Sequence, residues 1–198
     1  IDTVAPELSV TSPSFGLTNV ADISVEGMTE ADATLTVNGV AVTVAGDGSF
    51  STTVTLASGS NSIEVEATDP AGNTATVTRT VFLDSTAPAV AISAPAASAL
   101  LNQAVVHVTG TAEDGAQVTV NGVFVVVTGG AWSLDLAFAD GTHTITVVAT
   151  DAAGNTATVS RSVTVDTVAP PLSVDTLPTL TNVAALSVSG TTETGATV

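Results

Sequence analysis

Oxygen-bearing side chains are the groups in this sequence whose types and spacing could do chemistry. Asp69 and Asn73 lie four residues apart in Ala67-Thr68-Asp69-Pro70-Ala71-Gly72-Asn73-Thr74, and Asp151 and Asn155 repeat the spacing. Asp2, Asp84 and Asp166 each open a segment of the form Asp-Thr-Val-Ala-Pro or Asp-Ser-Thr-Ala-Pro. Glu30, Glu113 and Glu193 each follow a recurring glycine by three residues. Carboxylate, amide and carbonyl oxygens are hard ligands, and calcium takes about 6–8 of them. Calcium is therefore the ion to expect if the fold brings these positions together. A reading without an ion competes with it. Asp69 and Asn73 would then only close Asx turns, and Asp84 would only start a turn before Ala87-Pro88. Clustered carboxylates repel one another unless a cation intervenes, and the chain has no lysine to supply one.

Catalysis finds no comparable pattern. His107 and His143 occupy positions held by Ser24 and Asn61 in the matching segment upstream, so neither has a repeated neighbourhood that could support a Ser–His–acid arrangement. No glycine pattern cradles a phosphate after a strand. Nothing points to a concave pocket for paired carboxylates. The chain reads as a non-enzyme. Arg79 and Arg161 recur in equivalent places, and each is expected to pair with a carboxylate of its own unit. Phe50 and Trp132 also coincide, and an alternating pattern around them predicts core side chains rather than a sugar platform.

Charge narrows the partners. The 198 residues carry 19 acidic side chains against two arginines, a net charge of −17. Neutralising phosphates needs several basic groups, which excludes nucleic acid and anionic membrane surfaces. An apolar fraction of 44% is too high for an acidic disordered tail. No run approaches the roughly 18 apolar residues of a membrane span. The absence of cysteine excludes a disulfide framework, and the Thr/Ser-rich composition suggests a secreted protein.

The elements that must position these groups follow from an internal repeat. Asp2, Asp84 and Asp166 stand 82 residues apart, and Leu35-Thr36-Val37-Asn38-Gly39-Val40 returns as Val118-Thr119-Val120-Asn121-Gly122-Val123. That period is too long for a solenoid unit and long enough to fold alone. Residues alternate with period two, as Ile23, Val25 and Gly27 do against Asp22, Ser24 and Glu26. Asn-Gly is the preferred two-residue hairpin turn. Seven strands are predicted per repeat: 7–11, 20–27, 33–38, 40–45, 49–56, 61–68 and 74–83, then 89–93, 104–110, 116–121, 123–128, 131–138, 143–150 and 156–165. Seven short strands with regular turns predict an all-β fold of tandem immunoglobulin-like sandwiches in an elongated array. Running the strands up and down gathers the loops at 28–32, 45–48 and 69–73 at one pole beside Asp2. Asp2, Glu30, Asp47, Asp69 and Asn73 should then converge, as should Asp84, Glu113, Asp151 and Asn155. Asp166 and Glu193 begin the same set in a third copy.

The pattern D-T-x-A-P, G-x-x-E, V-N-G-V and A-T-D-x-A-G-N-T-A-T-V resembles the bacterial immunoglobulin-like (Big) repeats of large secreted adhesins and biofilm-associated surface proteins. The resemblance covers residues 1–165 and the start of a third copy, with units at 1–83, 84–165 and 166–198. It implies extracellular, cell-surface spacer repeats, often stiffened by calcium at the junctions, whose partners are neighbouring repeats of the same polypeptide. Such repeats also occur in secreted enzymes, so a carbohydrate- or other ligand-binding module remains the alternative. Within the third copy, Leu172, Val174, Leu186 and Val188 should form the apolar side of two strands, with Val198 the counterpart of Leu35. Two strands cannot bury such a face alone. Either the natural chain continues, or another chain donates strands and builds a fibre. The start at Ile1, within a linker, favours continuation.

Overall fold

A computed structural model describes residues 1–182 and 184–197. Stretches in which Val, Ile and Leu alternate with Thr and Ser form strands throughout, and among the described residues there is no helix. The first repeat contains β1 (Leu8–Ser12), β2 (Gly16–Thr18), β3 (Asp22–Thr29), β4 (Thr34–Val37), β5 (Val40–Val42), β6 (Ser49–Thr55), β7 (Gly59–Thr68) and β8 (Thr74–Leu83). The second repeats this order as β9 (Val90–Ala94), β10 (Ala99–Leu101), β11 (Val105–Ala112), β12 (Gln117–Val120), β13 (Val123–Val125), β14 (Ala131–Ala137), β15 (Gly141–Thr150) and β16 (Thr156–Val165). Each repeat is a sandwich of a three-stranded and a five-stranded sheet, ordered β1-β3-β6 over β2-β8-β7-β4-β5 and β9-β11-β14 over β10-β16-β15-β12-β13. Alternate residues of the two sheets, led by Val25, Ile63 and Val65 and by Val108, Ile145 and Val147, are fully buried between them.

The sandwich has eight strands where seven are expected. The additional β2 and β10 are three residues long and pair in parallel with the last strand of their own repeat, Gly16–Thr18 against Val81–Leu83 and Ala99–Leu101 against Val163–Val165. The chain thus leaves one sheet after β1, crosses at Pro13, and joins the other. The expected strands at 40–45 and 123–128 end early because the chain turns toward the opposite sheet. Ala45 N–H donates to Ser49 O there, and Thr128 N–H to Ala131 O. The hairpins form as expected. Asn38 and Gly39 have φ of 50° and 75°, and the Asn38 Oδ1 accepts from Glu64 N–H at 2.8 Å, fastening the turn to β7.

Phe50 and Trp132 fill the core, each lying across a recurring glycine, Gly27 or Gly110. The Trp132 Nε1 is buried with no hydrogen-bond partner among the described residues.

Arg79 and Arg161 overturn the ion-pair expectation. Their positions share inward parity with Val77 and Val81, and with Val159 and Val163. An inward side chain there reaches the seam where β1 departs rather than any surface carboxylate. Arg79 Nη2 donates to Val10 O at 3.0 Å, and its guanidinium lies 4.9 Å from the Phe15 ring centroid. Arg161 Nη1 donates to Pro95 O.

After the second sandwich, β17 (Leu172–Val174) and β18 (Gly190–Thr192) pair antiparallel, Leu172 opposite Thr192 and Val174 opposite Gly190. That is the register of Leu8 with Thr29 and Val10 with Gly27. Leu172, Val174, Leu186 and Val188 are exposed. Val198 lies outside the described residues.

Candidate functional site

The Asp-x-Ala-Gly-Asn turn is built identically in both repeats. Strands β7 and β8 pair along their length up to Thr68 with Thr74, so the five residues between must reverse the chain. Gly72 and Gly154 make this possible with φ of 92°, a region that side chains avoid. Asp69 Oδ1 accepts from Asn73 N–H and Oδ2 from Asn73 Nδ2, both at 2.8 Å. Asp151 accepts the same two bonds from Asn155, both at 2.8 Å. Asp69 is only 8% exposed. The Asn73 side-chain bond holds the Asp69 carboxyl below the ordinary carboxylate range, with burial working against it, and Asn155 does the same for Asp151.

The second copy of the turn also reaches the first repeat. Asn155 Nδ2 has two hydrogens, and the one not given to Asp151 goes to Asp84 O at 2.9 Å. Asp84 is itself held by the first repeat, its N–H donating to Thr18 O at 2.9 Å. Its Oδ1 accepts from Thr86 N–H at 2.9 Å, so the carboxylate starts the turn into the second sandwich. The side chain of Asn19 lies over the same turn, where a Cβ on Gly154 would sit 3.5 Å from Asn19 Nδ2. The linker residue is therefore bonded from both sides. Asn19 carries no signal as an isolated residue, but it recurs after β10 as Asn102 and again as Asn182, and that recurrence could have exposed it.

The other acidic positions lie near this pole without joining the constellation. Thr29 N–H donates to Gly48 O, and Thr34 pairs with Thr68, which brings the loops around 30–33, 45–48 and 69–73 to one end. Within that end Glu30 and Asp47 bond backbone amides. Glu30 Oε1 accepts from Glu7 N–H at 3.4 Å, and Asp47 Oδ1 from Ser49 N–H and Oγ. Asp2 accepts from Val4 N–H and Asp166 from Val168 N–H, both at 3.0 Å. Glu113 is placed by backbone bonds, its N–H to Ala89 O and its carbonyl from Ala116, and the Glu193 carbonyl accepts from Ala196. Asp69 with Asn73, and Asp151 with Asn155 and Asp84, are thus brought together. Among the described residues no three His, Cys, Asp or Glu side chains form a group able to hold a metal ion.

The histidines serve other contacts. His107 Nδ1 lies 2.5 Å from Asp135 Oδ1, directly across β11 and β14 on the exposed face. His143 stacks on Phe138 and bonds Ala139 O through Nε2. No helix among the described residues is long and apolar enough to cross a membrane.

Comparison with known proteins places this architecture. A structure of fibronectin(III)-like modules of Clostridium thermocellum CbhA superposes with a TM-score of 0.51 at 17% identity, over 80% of this chain and 94% of that one. The titin I-band fragment I67-I69 gives 0.49 at 14% identity, over 82% and 66%. A tetra-tandem repeat from the extending region of a large adhesion protein is 26% identical with a TM-score of 0.36, and this chain spans about half of it, 52%. No curated protein sequence matches the chain. The family described as glucodextranase, domain B, matches twice, over residues 6–85 and 88–167. The chain belongs to that family, carrying two of its domains in tandem.

Proposed function

We propose that the two repeats are non-catalytic spacer units of an extracellular protein, setting the separation and orientation of whatever stands at either end. The observation that carries this reading is the doubly bonded linker, with Asp84 held by Thr18 on one side and Asn155 on the other. A junction fixed in this way transmits orientation, which a ligand-binding bead on a loose tether has no need to do. The short Ala87-Pro88 step adds to it, since the residue before a proline is held extended. A large surface adhesin is the setting that the repeat pattern favours. The family match favours a second setting, an accessory module of a secreted glycan-active enzyme, and there too the repeats would act as spacers.

Solution scattering tests the proposal. The wild-type chain should give one narrow distribution of inter-repeat angles, and Asn155→Ala should broaden it. A freely jointed pair in the wild type would overturn the reading. Binding of an isolated glycan by the chain would favour the ligand-binding alternative. Calcium at Asp84, Glu113, Asp151 and Asn155 is a separate part of the proposal, supported by the recurrence of these positions, and it requires the carboxylates to turn toward one another from the backbone contacts they make here. A bound ion stabilises by mass action, so a chelator should lower the melting temperature, and Asp151→Ala should remove most of that response. Identical melting curves with and without chelator would remove calcium and leave the hydrogen-bonded junction.

A further inference from the structure

The two repeats match closely, so the places where they differ in kind are informative. In the first repeat the outward face of the five-stranded sheet carries Glu64 and Glu66 on β7. The equivalent positions on β15 are Thr146 and Val148, both opposite hydroxyl residues of β16, Ser160 and Thr158. Every outward residue of β15 and β16, from Thr142 to Thr164, is Thr, Ser or Val. At one edge of this face Leu100 is 83% exposed, and near the other Phe124 is 73% exposed where the first repeat has Ala41. In a chain of net charge −17, the second repeat thus has one broad sheet face without a charge.

We infer that this face is where two copies of the chain meet side by side. Three observations select a second copy as the occupant. Two molecules this acidic repel through most of their surfaces, and a face without carboxylates is where that repulsion is least. A hydroxyl both donates and accepts, so a Thr/Ser face can satisfy an identical face, whereas carboxylates only accept. The size also fits. Some 30 strand residues at about 4.8 Å by 3.3 Å give roughly 500 Å² of sheet area per copy. Two such faces reach the lower end of specific interfaces, about 1,000 Å² in all, as expected of a reversible contact. Arrays of such repeats would multiply the contact through avidity.

Sedimentation velocity of the full chain over a concentration series tests this. The wild type should show a reversible monomer–dimer equilibrium. The double substitution Thr146→Glu with Val148→Glu restores what the first repeat already accommodates, so the fold is kept, and it should weaken the dimer about tenfold or more. Phe124→Ala, at an exposed site, should weaken it by a smaller factor. The reverse pair in the first repeat, Glu64→Thr with Glu66→Val, should create a second face and populate larger species. A chain that sediments as a monomer throughout the series overturns the inference. So does a dimer indifferent to the two glutamates. The spacer reading, tested on the monomer by scattering, stands or falls separately.

Discussion

Replacing Gly110 by alanine should destabilise the second repeat and leave the first intact. A Cβ at this position would stand 2.1 Å from the backbone oxygen of Ala91 and 2.1 Å from Cζ2 of the Trp132 ring. Both contacts fall inside van der Waals separation, and relief requires a strand and an indole to move apart by roughly 1 Å each. The strand is β9, which pairs with β11 through Ile92 opposite Gly110, Ala91 opposite Thr111 and Val90 opposite Ala112. Overpacking in a filled core costs about 1–3 kcal/mol. Each ladder bond loosened by the shift adds about 0.5–1.5 kcal/mol. Alanine recovers about 0.4–1 kcal/mol through the less free unfolded chain. The balance is a loss of about 2–3 kcal/mol, which lowers the melting temperature of a domain this size by roughly 10–20 °C. The assay is built into the chain, because Trp132 is its single tryptophan and reports on the second repeat alone. Tryptophan fluorescence should show the early transition while calorimetry retains an unshifted one for the first repeat. Gly27→Ala should reverse the pattern, since its Cβ would stand 2.0 Å from Ser9 O and 2.6 Å from the Phe50 ring. Gly46→Ala, with nothing within 4 Å, is the neutral control. A Gly110→Ala protein melting with the wild type would refute the packing argument.

Two further outcomes follow from the same geometry. Asp69 and Asp151 have carboxyl pKa values lowered by folding, so the unfolded chain binds more protons than the native one in the acid range. Their contribution is fully present above the ordinary carboxylate pKa near 3.9 and is lost as pH falls through the lower folded values. Asp69→Asn and Asp151→Asn should flatten the acid limb of a stability–pH profile, and an unchanged limb would count against the turn as its origin. Arg161→Met should cost about 1.5–3 kcal/mol, the range for a hydrogen bond to a charged group. Because the partner is the Pro95 carbonyl, the loss should be the same at low and high salt, whereas a loss that shrinks with salt would point to an ion pair.

Period-two alternation and turn chemistry made most of this fold legible in the sequence. The strands containing Val25, Val37 and Ile63, the Asn38-Gly39 hairpin and the burial of Phe50 and Trp132 all follow from local pattern. The strand β2 did not, because three residues are too few to show alternation and its partner, Val81–Leu83, lies at the other end of the repeat. The charge of Arg79 points to a carboxylate partner, and the structure gives it the Val10 carbonyl instead. The parity of Arg79 with Val77 and Val81 already pointed inward, and that signal outweighs a general tendency of cations to find carboxylates. At the acidic pole, strand direction brings the loops together, but periodicity does not encode which way a side chain turns within a loop. Glu30 and Asp47 accordingly serve nearby backbone amides, and only the Asp–Asn turns and Asp84 combine.

The parallel pairing of β2 with β8 bears on how a repeat would respond to tension. Once β1 has come away from β3, a pull on the two ends of a repeat draws the start of β2 one way and the end of β8 the other, along the axis of both strands. The bonds between Gly16–Thr18 and Val81–Leu83 lie across that direction, so they are sheared together rather than peeled one after another. The Asp84 N–H to Thr18 O bond extends the patch to the first linker residue, and Asp166 N–H to Leu101 O does so in the second repeat. Past the β1–β3 pairing, traction would therefore be borne by the few residues that sequence pattern shows least clearly, while the long β7–β8 hairpin behind them stays unstrained.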